Sequence, residues 1–128
     1  MFRNRRFLEW LRYTKKHDLE VSIITYLETL LWYKTLGLKT EDFDEELENL
    51  GITVTELSQT LADRATANAL KHRKAFPFKH NARDYVIGTS ALETKATLIT
   101  YNLDDFGWFI EEGGTVETPE NFLATELK

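Results

Sequence analysis

The sequence predicts an α/β fold in which helices cover a parallel sheet. Short apolar runs that fit strands alternate with stretches whose apolar residues recur at helical spacing. One such run, Ala96–Ile99, is apolar enough for a central parallel strand that is buried on both faces. The length of 128 residues allows one compact core, whereas two domains would each bury little apolar surface. We therefore expect a single domain over residues 1–128.

The first half of the chain alternates between the two kinds of element. Thr25 is a candidate cap for the helix that follows it, and glycines at positions 37 and 51 are predicted helix ends. In order, we predict a helix ending near His17, a strand at Leu19–Ile24, a helix from Tyr26 to Gly37, a helix from Thr40 to Gly51, and a strand at Ile52–Leu57.

The second half repeats this alternation. Ser58 is a predicted cap, Pro77 interrupts the helix that follows it, and Pro119 suits a helix start. In order, we predict a helix from Ser58 to the Phe76–Phe78 break, a helix opened by Asn81, the strand Ala96–Ile99, a short aromatic helix at Leu103–Glu111, a strand at Thr115–Glu117, and a terminal helix from Pro119.

Composition limits the classes of function. The chain contains no cysteine, which excludes disulfides, thiolate zinc sites and cysteine nucleophiles. Any metal would be held by oxygen or imidazole, which favours a hard cation. No window approaches the roughly 18 uncharged apolar residues of a membrane span, and the start lacks a signal peptide. We expect an intracellular, cytoplasmic protein that does not contact a membrane.

Charge is distributed unevenly, although the net charge is −5. Residues 3–16 and 71–83 are basic blocks, and residues 41–48 are almost purely acidic. A solvated helix face or loop explains each block taken singly. Two basic blocks in one small acidic domain also indicate a second explanation, which is contact with the phosphates of a nucleic acid. The candidate RNA-binding residues are Arg3, Arg5, Arg6, Lys79 and Arg83.

Acidic residues follow the predicted strands, where ligands of parallel sheets gather. Glu28 lies one turn after the first strand, as the sole carboxylate on an apolar helix. Asp84 lies in the first turn of its predicted helix, where the helix dipole alone could explain it. Asp104 and Asp105 follow the strand Ala96–Ile99 and could merely cap the aromatic helix. Carboxylates that converge on one pocket would suit Mg²⁺ or Mn²⁺.

The histidines and tryptophans are not predicted to belong to the candidate site. His17, His72 and His80 lack ligand-like spacing and are predicted to lie on the surface. Trp10, Trp32 and Trp108 are predicted to fill the core, although an apolar excess around Trp32 and Tyr33 would also suit an interface.

Three motifs in this order resemble the PIN-domain family, which includes VapC-type toxins and archaeal relatives. Ile24–Glu28 is similar to the family's strand followed by T-x-x-E. Arg83–Leu92 resembles the helix D-x-x-I-x-x-x-A-L. Thr97–Phe106 is similar to LVTxNxxDF, the most specific of the three. The resemblance covers nearly the whole chain, including the closing strand and helix at Val116–Phe122.

The resemblance implies a three-layer α/β/α sandwich with a central parallel sheet. It implies a metal-dependent ribonuclease in which Glu28, Asp84 and Asp105 bind Mg²⁺ or Mn²⁺, while Thr100 and Asn102 orient the cluster. RNA, an antitoxin protein and a second copy of the chain are the partners that it implies. The alternative is a catalytically silent PIN-like module that acts by binding or assembly.

The sequence departs from the family at its start. PIN domains begin with an apolar strand that ends in the first catalytic aspartate, whereas Glu9 is the sole acid before Asp18 here. We expect the family's first strand to be missing from this N-terminally shortened chain. Either the natural reading frame begins upstream, or the chain is shortened or misassigned, or a segment of another chain fills the gap. Whether this chain alone cleaves RNA stays open.

Overall fold

The structure, a computed structural model, describes Glu9 and residues 18–126. The chain forms two compact units, Met1–Glu56 (unit 1) and Leu57–Lys128 (unit 2). The single domain over residues 1–128 stays a prediction. The predicted helix that ends near His17 lies outside the described residues, apart from Glu9, which is helical and exposed.

Unit 1 contains two parallel strands and two helices. Its elements are β1 (Leu19–Ser22), α1 (Ile23–Thr35), α2 (Thr40–Leu50) and β2 (Ile52–Thr55). Strand β1 pairs in parallel with β2, with Leu19 opposite Ile52 and Ser22 opposite Thr55. The core of the unit forms around Val21, Phe43 and Leu47, against which the ring of Tyr33 also packs.

The boundary between β1 and α1 differs from the prediction. The strand ends at Ser22 rather than Ile24, and the Ser22 side chain accepts a hydrogen bond from the Ile24 backbone N–H at 3.3 Å. Ser22, not Thr25, therefore caps the helix. Two consecutive isoleucines favoured a longer strand in the sequence, but a serine hydroxyl that satisfies a free helical N–H fixes the start of the helix.

Both predicted helix ends in unit 1 are confirmed. Gly37 and Gly51 have φ angles of +72° and +68°, in the left-handed region that glycine adopts without steric cost. Gly51 directly follows α2, and its backbone N–H donates to the carbonyls of Glu48 and Leu47. This turn leads the chain straight into β2.

Unit 2 contains the remaining elements. They are α3 (Gln59–His72), α4 (Phe78–Thr94), β3 (Thr97–Ile99), a 3₁₀ helix (Leu103–Phe106), α5 (Gly107–Glu111), β4 (Thr115–Glu117) and α6 (Pro119–Glu126). Strands β3 and β4 are parallel, with Ile99 opposite Glu117. The predicted cap is confirmed, since the Ser58 side chain accepts from the Leu61 N–H at 3.1 Å.

An aromatic core fixes α4 in unit 2. Tyr85, Trp108 and Phe109 are fully buried, and the rings of Tyr85 and Trp108 lie 4.8 Å apart. Gly88 lies against the same indole, where an added Cβ would be 2.6 Å from Cζ2 of Trp108. The backbone of α4 and the Trp108 ring are therefore in direct contact.

The two sheets share no strand in the described part of the chain. Strand β1 pairs with β2, and β3 pairs with β4. That the first strand of the PIN-like sheet is missing from this chain stays a prediction.

Candidate active site

Asp84 is a buried carboxylate on α4. It is 5% exposed, and one carboxylate oxygen lies 3.3 Å from Nη1 of Arg83. The helix begins at Phe78 rather than at the predicted Asn81, so Asp84 lies in the second turn and not in the first. The influence of the helix dipole fades beyond the first turn, and it therefore does not explain this residue. Asp84 is the one buried carboxylate among the three candidate acids, which makes it the strongest candidate of the set.

Neighbouring contacts hold α4 in place around Asp84. The Tyr85 hydroxyl donates to the Phe76 carbonyl at 2.6 Å. The buried Thr89 hydroxyl accepts from the Asn68 side-chain amide at 3.0 Å, which joins α4 to α3. These contacts fix α4 one and five residues after Asp84.

The turn after β3 is organised by backbone hydrogen bonds. The Thr100 N–H donates to the Glu117 carbonyl at 3.0 Å, which continues the β3–β4 pairing by one residue. The Thr100 hydroxyl accepts from the Asn102 N–H at 3.1 Å, and the Asn102 carbonyl accepts from the Asp105 N–H at 3.2 Å. Thr100, Asn102 and Asp105 thus belong to one compact turn at the carboxyl end of β3.

The two aspartates of this turn are exposed. Asn102 occupies the capping position of the 3₁₀ helix, and Asp104 and Asp105 lie inside its first turn. The alternative explanation that either aspartate caps the aromatic helix is therefore wrong. Phe106, the next residue, is buried at 3% exposure, and this anchors the turn that carries Asp105.

Unit 2 ties Asp84 and Asp105 to one core. Tyr85 follows Asp84, Phe106 follows Asp105, and both aromatic residues belong to the same buried cluster. Helix α4 also packs against the 3₁₀ helix. Each acid is thus one residue from a ring of the shared core, so both are presented by the same packed framework.

Glu28 lies in unit 1 and is exposed. It is the sole carboxylate on α1, as expected, but no residue of this helix is buried. The apolar neighbours of Glu28 in the sequence therefore do not bury it. Its assignment to a metal site depends on the T-x-x-E motif.

The chemistry of the donors fits a hard cation. Glu28, Asp84 and Asp105 offer carboxylate oxygens, which Mg²⁺ and Mn²⁺ prefer. Within residues 18–126 and Glu9, no three His, Asp or Glu side chains form a group that could hold a metal ion. The convergence of these three acids stays a prediction.

Some of the candidate RNA-binding residues lie within the described residues and others lie outside them. Arg3, Arg5 and Arg6 lie outside the described residues. Lys79 and Arg83 are both exposed on α4. They are four residues apart, and side chains at this spacing share one face of a helix. The adjacent Asp84 lies on the same turn of α4 as Arg83.

His72 is largely buried, whereas the sequence predicted a position on the surface. Its side chain is 9% exposed, with Nε2 3.0 Å from a Glu112 carboxylate oxygen and Nδ1 3.2 Å from one of Glu111. Lys71 Nζ lies 2.7 Å from Glu112. Hydrogen bonds from Lys71, and next from His72, lower the pKa of Glu112. This cluster joins the ends of α3 and α5. The prediction that His72 lies on the surface is wrong, and the sequence did not indicate its burial because Glu112 lies 40 residues further along the chain.

The other aromatic predictions have mixed outcomes. Trp108 is fully buried, as predicted, and His80 is exposed, as predicted. Trp32 is 55% exposed, so its predicted core position is wrong. The neighbouring Tyr33 packs on Phe43 instead, with ring centroids 5.4 Å apart. His17 and Trp10 lie outside the described residues.

Comparison with known proteins decides the family. The family model for the PIN domain matches residues 2–107. The chain belongs to the PIN-domain family. Among solved structures, this PIN domain is similar to a toxin–antitoxin complex from Klebsiella pneumoniae, with a TM-score of 0.63 and 22% sequence identity. The match covers 92% of this chain and 88% of that chain, which shows a shared mixed α/β fold with parallel strands. No curated protein matches the sequence.

PIN domains generally use divalent metal ions, and the oxygen donors described above are of the corresponding type. No helix among the described residues is both long enough and apolar enough to cross a membrane.

Proposed function

We propose that this PIN domain is a metal-dependent endoribonuclease that hydrolyses RNA phosphodiesters. The observation that carries the proposal is Asp84, a carboxylate 5% exposed at the start of the motif that resembles the family's D-x-x-I-x-x-x-A-L helix. Proteins rarely bury a charge without a role for it, and the helix dipole does not explain this one. The location that we predict for the protein is cytoplasmic.

Glu28, Asp84 and Asp105 are the proposed ligands of Mg²⁺ or Mn²⁺, directly or through water. When bound, such an ion lowers the pKa of water and neutralises charge that develops on phosphate oxygens. Thr100 and Asn102 hold the turn that presents Asp105, through the hydrogen bond of 3.1 Å between them. Their proposed role is to orient Asp105 rather than to react.

Basic side chains are the proposed contacts of the RNA backbone. Lys79 and Arg83 are exposed on the helix that carries Asp84. Arg3, Arg5 and Arg6 belong to the other basic block. Phosphate contacts of this kind position RNA without reading its sequence, and they weaken as salt rises.

The experiment replaces Asp84 with Asn and measures cleavage of a fluorescent RNA with Mn²⁺ or with EDTA. Wild-type cleavage should require the metal, and Asp84→Asn should abolish it while circular dichroism shows an intact fold. Asp63→Asn, an exposed aspartate on α3, is the matched control and should cleave normally. Cleavage that persists in EDTA or in Asp84→Asn would refute the proposal. Absence of cleavage by the wild type would favour the second candidate.

The second candidate is a binding module that assembles with a protein. The observation that favours it is an apolar surface on α1 and its C-terminal cap, where Leu27, Leu31, Trp32 and Leu36 are between 55% and 63% exposed. Exposed apolar patches of this kind mark interfaces with other proteins. An antitoxin protein and a second copy of the chain are the proposed partners, and the similar solved structure is itself a toxin–antitoxin complex.

Mutation of this surface tests which of the two proposed partners, a second copy of the chain or an antitoxin protein, binds there. Leu31→Lys should shift the mass measured by light scattering from dimer to monomer if a second copy binds. Leu70→Lys, at an equally exposed leucine of unit 2, is the control. Titration with Mn²⁺ discriminates further, because the nuclease should bind the ion through Asp84 and the silent module should bind none.

A further inference from the structure

We propose that the ring of Tyr101 is a stacking platform for an RNA base beside the candidate active site. The inference rests on the proposed ribonuclease function and specifies a subsite for its substrate. Tyr101 is 40% exposed, and it lies between Thr100 and Asn102 in the turn that carries Asp105. None of the three motifs that resemble the family assigns a role to Tyr101.

The backbone on both sides of Tyr101 is fixed. The Thr100 N–H donates to the Glu117 carbonyl, and the Asn102 N–H donates to the Thr100 hydroxyl. The ring therefore leaves the protein from a defined point at the carboxyl end of β3. A base that stacks on Tyr101 would contact the chain four residues before Asp105.

The far end of the ring is also held. The Tyr101 hydroxyl donates to a carboxylate oxygen of Glu120 at 3.0 Å. Glu120 lies in the first turn of α6, directly after β4, and β3 and β4 are parallel. Both turns thus leave the same edge of the sheet. A ring fixed at both ends loses little conformational entropy when a ligand stacks on it.

The charge around Tyr101 indicates which part of RNA it contacts. Asp104, Asp105 and Glu120 are exposed acids close to it in the chain or in space. The carboxylates of Asp104 and Glu120, which are not among the proposed metal ligands, repel phosphates but do not repel the uncharged face of a base. Stacking on an aromatic ring accepts any base, because every base has a π-face. A single-stranded segment with an unpaired base is therefore the expected ligand.

The experiment measures binding of a fluorescein-labelled single-stranded RNA by anisotropy, with Ca²⁺ in place of Mg²⁺ and with the RNA checked by gel for integrity. Tyr101→Leu removes the ring and should weaken binding about tenfold. Tyr101→Phe loses the bond to Glu120 but keeps the ring, and its affinity should stay within about twofold of the wild type. An RNA with an abasic nucleotide at the stacked position should bind wild type and Tyr101→Leu equally.

The outcomes separate the subsite from the proposed function. If the wild type binds RNA and Tyr101→Leu binds equally well, the subsite is refuted and the ribonuclease proposal stands. If Tyr101→Phe loses as much affinity as Tyr101→Leu, the hydroxyl serves as a structural tie to α6 and the stacking role is refuted. If the wild type binds no RNA, the ribonuclease proposal and the subsite that rests on it both fail.

Discussion

Gly88 and the indole of Trp108 are in such close contact that a methyl group on Gly88 would lie 2.6 Å from Cζ2 and 2.7 Å from Cη2 of the ring. Glycine in a helix interior is otherwise unfavourable, by about 1 kcal/mol relative to alanine. Its presence here is explained by the space that the ring needs. Since the same helix presents Asp84, this contact sets the geometry of the candidate site.

We expect Gly88→Ala to lower the free energy of unfolding by about 1 to 3 kcal/mol, because overpacking must displace the ring or the helix. Urea denaturation checks this. In a Trp108→Leu background the loss should shrink, since the clashing atoms are gone, and a double-mutant cycle measures the coupling. A stabilising Gly88→Ala, as helix propensity alone predicts, would show that the contact is not close.

Removal of the Thr89 hydroxyl should destabilise unit 2. Thr89 is 1% exposed and accepts from the Asn68 amide at 3.0 Å. Thr89→Val keeps the shape but leaves the amide without this acceptor, at a cost of about 1 to 2 kcal/mol in the free energy of unfolding. Replacing Asn68 with Ala in the same chain should cost less than the sum of the two single changes. Strict additivity would mean that the two side chains do not interact.

Stability should fall in acid through Glu112. Hydrogen bonds from Lys71 and His72 lower the pKa of this carboxyl below its ordinary value of 4.5. A lowered folded-state pKa contributes stability above the unfolded-state pKa, and the contribution is lost as pH falls through the folded value. Glu112→Gln should therefore be destabilised at neutral pH and lose less stability between about pH 5 and pH 3. Thermal melts at several pH values test this.

The control for that measurement is Asp63→Asn, at an exposed aspartate on α3. Its stability should follow pH as the wild type does. If Glu112→Gln shows the same pH dependence as the wild type, then the cluster of Lys71, His72 and Glu112 does not contribute to acid unfolding.

The adjacent aspartates of the 3₁₀ helix should differ in their effect on catalysis. Both are exposed, but the Asp105 N–H donates to the Asn102 carbonyl, and the residue after Asp105, Phe106, is buried. We expect Asp105→Asn to lower metal-dependent cleavage at least about a hundredfold, by analogy with loss of other metal-site groups. Asp104→Asn should stay close to the wild type. Equal losses in the two variants would remove Asp105 from the proposed metal site.

Much of the fold could be predicted from the sequence because its signals are local. Ser58, Gly51 and Pro119 mark helix boundaries through caps, left-handed turns and fixed φ angles, and each is confirmed. The start of α4 was placed three residues late, because the break at Phe76–Phe78 conceals a helix that begins directly after Pro77. That error put Asp84 in the wrong turn and gave the helix dipole a role that it does not have.

The candidate site was less predictable than the fold. The order of the motifs predicted Glu28, Asp84 and Asp105 as site residues, but it did not predict their burial, which depends on distant packing partners. Glu28 and Trp32 are exposed on a helix whose apolar composition suggested burial. The Tyr101–Glu120 hydrogen bond and the cluster of His72 with its glutamates join residues 19 and 40 positions apart. No short-range pattern in the sequence carries such pairs.

The unequal exposure of Trp32 and Trp108 gives each unit its own optical reporter. Indole emission shifts to longer wavelength in water, so Trp32 in unit 1 and Trp108 in unit 2 should emit at different wavelengths and respond differently to iodide. With Trp10 replaced by Phe, fluorescence could therefore follow the melting of unit 1 and unit 2 in a single titration. Coincident transitions would mean that the two units unfold cooperatively.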